Sequence, residues 1–145
     1  MTKASLKFQH KNPFTVGVEE EYMLCNPETG DLVNSAKDIM DAIPSKIKPR
    51  YSYELILSEI EVNTSVCSSV SEAMEEIVFL RNYTKDLGEK LGFKIGISGT
   101  HPTAICKNQK FVNNESYQWV ADQLNYYARR NVTFATHVHI AVNDA

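Results

Sequence analysis

Three separated stretches of this chain alternate apolar and polar residues with a period of two, and each puts metal-competent side chains on its polar parity. Strand side chains point to opposite faces in turn, so residues two apart share a face about 6.6–6.8 Å from one another. In residues 14–25 this rule puts Glu19 and Glu21 together, with Val16, Val18, Tyr22 and Leu24 on the other side. In residues 55–64 it groups Glu59, Glu61 and Asn63 against Ile60 and Val62, and in 132–142 it groups His137 and His139 against Val138 and Ile140. Glu20 breaks the pattern, falling on the apolar parity of the first stretch. Such strands call for a sheet with one face in a core and the other gathering acids and imidazoles.

The basic residues are placed so as not to neutralise those acids. No Lys or Arg occurs at positions 14–35 or 51–79. Two carboxylates about 6.8 Å apart repel by roughly 2.4 kcal/mol at an effective dielectric of about 20. A face holding Glu19, Glu21 and Glu61 accumulates several such repulsions, and divalent cations relieve them. Oxygen ligands with one imidazole suit Mg²⁺ or Mn²⁺ better than a structural zinc, which prefers thiolates and several histidines. On the residues alone, single acids on an open face are also compatible with plain solvation.

The rest of the chain supplies helices between strands. Asn34 or Ser35 starts a short helix that stops before Pro44, and 44–50 reads as a solvated loop. Ser69-Val70-Ser71-Glu72 matches a capping box, opening a helix over 70–91 with Val70, Met74, Ile77, Leu80, Leu87 and Leu91 as its apolar stripe and Gly92 at its end. Lys94 to Ser98 is a short strand, and Asn114 opens a further helix to about Arg130. The order β, α, β, α, β, α, β predicts an α+β fold, mainly an antiparallel sheet with helices packed on one face. Helical crossovers leave room for some parallel neighbours.

Composition excludes several classes. At 145 residues, 43% hydrophobic and 23% charged, the chain fits a single folded domain over 1–145 and not a disordered segment. A net charge of -3 predicts no nucleic-acid partner, and apolar runs far short of the roughly 20 residues a bilayer needs predict no membrane span. Cys25, Cys67 and Cys106 form no disulfide framework and no secretory leader is visible, so the expected compartment is cytoplasmic. There is no phosphate loop, dinucleotide fingerprint, nucleophile elbow or HExxH helix. Cys67, with no base placed beside it, is not expected to act as a nucleophile.

Four stretches resemble the start of the bacterial carboxylate–amine ligases of the glutamate–cysteine ligase type 2 family, within the glutamine synthetase-like superfamily. They are Phe14-Thr-Val-Gly-Val-Glu-Glu-Glu-Tyr-Met-Leu24, Glu54-Leu-Ile-Leu-Ser-Glu-Ile-Glu-Val-Asn-Thr64, Gly99-Thr-His-Pro102 and Phe134-Ala-Thr-His-Val-His-Ile-Ala-Val142. The resemblance implies the N-terminal portion of a longer catalytic domain. It implies an ATP-dependent ligase that phosphorylates a substrate carboxylate and lets an amine displace the phosphate. It further implies Glu19, Glu21, Glu61 and His137 as ligands of Mg²⁺ (or Mn²⁺), and Glu54 and His139 as catalytic groups. Asn63 and His101 would lie beside substrate. Parity separates Glu54 from Glu61 in one continuous strand, so a bulge is expected if both face the site. The expected partners are ATP, an amino-acid carboxylate and an amine, with a homo-oligomer also in view. Two other readings stay open on the residues: a non-catalytic, metal-binding or self-associating fragment, and a metal-dependent hydrolase.

Overall fold

Strand β1 (Val16–Cys25) is long enough to serve three neighbours, and the sheet is built around it. The computed structural model describes residues 13–113 and 132–142. Along one edge β1 pairs with β3 (Glu59–Asn63), which in turn pairs with β2 (Tyr51–Tyr53). Along the other edge its C-terminal end pairs with β4 (Lys94–Gly96) and its N-terminal half with β5 (Thr136–Ile140). Every one of these pairings is antiparallel, so the anticipated parallel neighbours are absent among the described residues. The helical crossover from β3 to β4 does join strands running the same way, but β1 lies between them.

Helices α1 (Ala36–Ala42) and α2 (Val70–Leu91) both pack on the face that carries Tyr22, Leu24, Ile60 and Val62. Ile39, Ile77, Leu80 and Leu87 complete this core, each fully buried aliphatic side chain contributing about 1.5–3 kcal/mol. The α+β architecture with helices on one face is therefore the observed one. A smaller cluster of Met23, Ile56, Val132 and Phe134 forms where the opposite face ends, since Met23 shares the parity of Glu19 and Glu21. This cluster closes one end of the acid face and leaves the other end open.

The bounds of α2 match its sequence signals. Ser69 Oγ accepts from the Glu72 N–H at 3.2 Å, and Gly92, at φ 80°, ends the helix in the left-handed region. The reciprocal half of the capping box differs from expectation, because the Glu72 carboxylate takes the N–H and hydroxyl of Ser68 instead. Ser69→Ala is expected to cost about 1 kcal/mol in chemical denaturation. The apolar stripe is also shifted: Ala73, Ile77, Leu80, Thr84, Leu87 and Gly88 are buried, while Val70 and Met74 face out.

Glu20, the exception to the alternation, is buried among the helices' contacts. Its carboxylate accepts from Arg81 of α2 and from the Tyr22 hydroxyl, so a guanidinium from the covering helix compensates the charge. The 44–50 loop ends in a 3-10 turn (Lys48–Arg50) that leads directly into β2, a strand the sequence reading missed. The third helix expected over 114–130 lies outside the described residues. No helix among the described residues is long and apolar enough to cross a membrane.

Candidate metal centre

The register of the sheet decides which acids meet. Glu19 lies opposite Asn63 on β3 and opposite His137 on β5, while Glu21 lies opposite Glu61. Cross-strand partners stand about 4.5–5.5 Å apart at Cβ, so these pairs form a continuous patch on the face away from the helices. The His137 Nδ1 sits 3.2 Å from Glu19 Oε2 and 4.0 Å from Glu21 Oε1, and His139 Nε2 sits 3.1 Å from the same Glu19 oxygen.

Two donor clusters result, each with ligand atoms within 4.8 Å of one another: Glu19, Glu61 and His137 in one, Glu21, Glu54 and Glu61 in the other. Glu61 is common to both. Glu54 needs no bulge to join them, contrary to the sequence expectation, because it follows β2 and does not belong to β3. Ser52 is the partner of Glu61, and Glu54 shares the parity of Ser52.

Neighbouring groups hold the carboxylates in place. The Ala135 N–H donates to Glu21 Oε2 at 2.6 Å, and Asn63 Nδ2 donates to Glu61 Oε1 at 3.0 Å and to Ser52 Oγ at 3.3 Å. Outer contacts of this kind orient ligands before an ion arrives. Sequence reasoning missed both Ser52 and the Ala135 amide. Ser52 lay in the overlooked strand, and a backbone donor leaves no trace in side-chain pattern.

The electrostatics record an excess of negative charge. Glu54 is pushed up to about 7 by burial and by the charges of Glu61 and Glu21. Glu59, opposite Met23 and almost fully buried, is pushed up to about 9 by burial and by Glu21, Glu54 and Glu61. Glu21 is raised by burial, an effect that the Ala135 amide and His137 only partly offset. Among the described residues, no Lys or Arg forms an ion pair with Glu19, Glu21, Glu54, Glu59 or Glu61. Crowded carboxylates with an imidazole or two match the donor chemistry of a hard divalent cation.

A pH dependence follows. Folded values above the ordinary 4.5 mean that the native state holds protons the unfolded chain releases. The stabilisation is complete below about 4.5 and is lost as pH rises through about 7 and on to about 9. Without divalent cations the thermal midpoint should fall across that range, and millimolar Mn²⁺ should flatten the fall. A flat profile without metal would contradict the crowding.

The remaining residues singled out in the sequence lie elsewhere. His101 is not brought to the cluster's donor sets: its Nδ1 accepts from the N–H groups of Thr103 and Ala104, and its Nε2 donates to the Gly30 carbonyl at 2.8 Å. With both ring nitrogens on backbone, it pins the 99–104 loop to the turn at 26–31. Cys67 is buried with Val16 and Ala73, and its thiol donates to the Ser65 carbonyl at 3.3 Å. A third donor cluster of Cys67, Glu72 and Glu76 has its carboxylates already bonded by Ser68 and Ser65.

Fold and site together define an α+β domain whose antiparallel sheet carries an acid-and-imidazole patch on its open face. The chain belongs to the Glutamate-cysteine ligase family 2 (GCS2), a family of ligases, which it matches over residues 15–145. It is 36% identical over 129 residues to the Rubrobacter xylanophilus protein named "Putative glutamate--cysteine ligase 2-1", covering 89% of this chain and 34% of that protein. A Herpetosiphon aurantiacus protein named "Putative glutamate--cysteine ligase 2" is 36% identical over 132 residues, covering 91% and 34%. One of the same name from Sorangium cellulosum is 32% identical over 133 residues, covering 90% and 36%. The chain thus spans about a third of the length of these relatives.

Proposed function

We propose that this chain forms the cation-binding part of an ATP-dependent carboxylate–amine ligase that joins the γ-carboxylate of glutamate to an amine, cysteine being the one its relatives' names indicate. The observation that carries this reading is the convergence of Glu19, Glu21, Glu54, Glu61 and His137 on one sheet face, with Glu61 shared between two donor sets. In this reading Glu19, Glu61 and His137 hold one Mg²⁺ or Mn²⁺, and Glu21, Glu54 and Glu61 hold another. The ions would neutralise charge on the transferring phosphoryl group. Asn63 orients Glu61, His139 steadies Glu19, and rigid strands keep the ligands fixed as substrates change. The substrate carboxylate takes the γ-phosphoryl group with release of ADP, and the amine then attacks the acyl carbon and expels phosphate. This reading also expects a cytoplasmic setting, where ATP is supplied and thiols stay reduced.

Calorimetry of the chain with Mn²⁺, and then with Mn²⁺ and ATP, tests the cation sites directly. The ligase reading further expects the family-length protein to form ADP only when glutamate and an amine are both present. Phosphate release without an amine would replace the ligase reading with a hydrolase.

One observation supports a second property. Among the described residues β5 pairs only with β1, and Val138 and Ile140 are 62% and 60% exposed. An unpaired edge with no charged or proline guard invites another strand. The isolated chain is therefore expected to form a homo-oligomer through β5, with a light-scattering mass above 16.4 kDa that Val138→Lys returns to the monomer value. A monomeric mass for the unsubstituted chain would exclude this.

A further inference from the structure

His101 spends both ring nitrogens on backbone groups, and those groups lie in two different places. Its Nε2 meets the Gly30 carbonyl at 2.8 Å, so this nitrogen carries the proton. Its Nδ1 is then the acceptor for the N–H groups of Thr103 at 3.3 Å and Ala104 at 3.0 Å. One nitrogen shapes its own loop, and the other ties that loop to a turn 71 residues earlier.

The turn is a firm anchor. Asn26 Oδ1 accepts from the N–H groups of Glu28 and Thr29, the Asn26 N–H donates to the Asp31 carbonyl, and Gly30 takes φ 78°. It follows β1 directly, and Cys25 at the end of that strand bridges to Leu32.

On its other side the loop holds residues 132–134. The Phe134 N–H donates to the Gly99 carbonyl at 3.2 Å, Thr100 Oγ1 donates to the Val132 carbonyl at 2.8 Å, and Thr100 bridges to Thr133. The next residue, Ala135, grips Glu21 twice. Its carbonyl accepts from the Glu21 N–H at 3.0 Å, and its own N–H donates to Glu21 Oε2 at 2.6 Å. Glu21 also shares the lining of a cavity of about 280 Å³ with Ile97, Ser98, Gly99 and residues 134–136.

These bonds form a closed circuit. It leaves β1 at Glu21, passes through Ala135 and the loop to His101, and returns through Gly30 to the end of β1. Strand pairing fixes the Glu21 backbone, but its carboxylate still has side-chain rotors and takes its direction from the groups that bond it. Ala135 lies just before β5, so β5 sets its position from one side and the loop from the other.

We propose that His101 is a positioning residue for Glu21: by clamping the 99–104 loop to the Gly30 carbonyl, it holds the Ala135 amide on that carboxylate. The clamp stands on the hydrogen bonds alone, and its meaning for cation binding rests on the ligase reading above.

Two substitutions separate the ring's two duties. In His101→Gln the side-chain nitrogen takes the place of Nε2 and can donate to Gly30, but no acceptor remains for Thr103 and Ala104. In His101→Asn the side-chain oxygen takes the place of Nδ1, as Asn26 Oδ1 serves its own turn, but nothing reaches Gly30. Amide hydrogen exchange of the cation-free chain is read at Ala135, with Ile60 and Ile77 as core references. His101→Ala and His101→Asn should speed exchange at Ala135 about tenfold, while His101→Gln stays within about twofold of wild type and the references do not move. In calorimetry the Ala and Asn variants should weaken one of two Mn²⁺ binding steps about tenfold, the step at Glu21, and His101→Gln should restore it.

Unchanged exchange at Ala135 in His101→Ala, or rescue by Asn and not by Gln, would overturn the clamp. Faster exchange at the core references alongside Ala135, or wild-type Mn²⁺ binding by His101→Ala, would overturn the positioning role. The expected exchange pattern in a chain that takes up no Mn²⁺ would uphold the hold on Glu21 while defeating the cation reading.

Discussion

Glu61→Gln should lower Mn²⁺ affinity about 100-fold, equivalent to about 2.7 kcal/mol, because it removes the one carboxylate common to both donor sets. The substitution keeps the side chain's shape, and its oxygen can still accept from Asn63 Nδ2. The cation-free protein should respond in the opposite direction. Glu61 helps to push Glu54 and Glu59 upward, so removing its charge relieves repulsion and raises the thermal midpoint. A residue serving only to hold the sheet together would lose stability on substitution, and this opposition of sign separates the two roles. Calorimetry with Mn²⁺ and thermal melts without it provide the measurements, with exposed Glu28→Gln as an unaffected control. An affinity within a few-fold of wild type would remove Glu61 from the site.

Much of that site was legible because sheet parity is a strict rule. Glu19, Glu21, Glu61 and His137 could be put on polar faces from spacing alone, and antiparallel register then brought the faces together. Helix α2 was equally open to reading, since its cap residues and Gly92 act within one turn of its ends. Long-range facts were hidden. Glu20 looked like an error in the alternation because its partner Arg81 is 61 residues away. Tyr51–Tyr53 is too short to show a period, and missing it left Glu54 assigned to the wrong parity. Val70 and Met74 share helical spacing with the core, but spacing cannot say where the sheet beneath the helix ends. His101 was read through a motif, and its fixing to Gly30 depends on a turn that only the folded chain brings near.

The other large effect is expected on the opposite face of the sheet. Arg81→Met should destabilise the fold by about 3 kcal/mol, a large share of the roughly 5–15 kcal/mol that holds a domain together. Glu20 is 6% exposed and faces the helices, where it accepts from Arg81 Nε at 3.1 Å and from the Tyr22 hydroxyl at 2.6 Å. Losing the guanidinium leaves a carboxylate charge among aliphatic groups with one phenol for company. Glu20→Gln should cost much less, about 1 kcal/mol, because the freed Arg81 side chain is already 37% exposed and its head can turn into water. The double variant Glu20→Gln with Arg81→Met should be more stable than Arg81→Met alone, since no stranded charge remains. A double-mutant cycle by urea denaturation measures this asymmetry directly. Mn²⁺ affinity should be unchanged throughout, because Glu20 points to the face away from Glu19 and Glu21. If Arg81→Met proved no more damaging than Glu20→Gln, the pair would be a surface contact and the helix would be held by apolar packing alone.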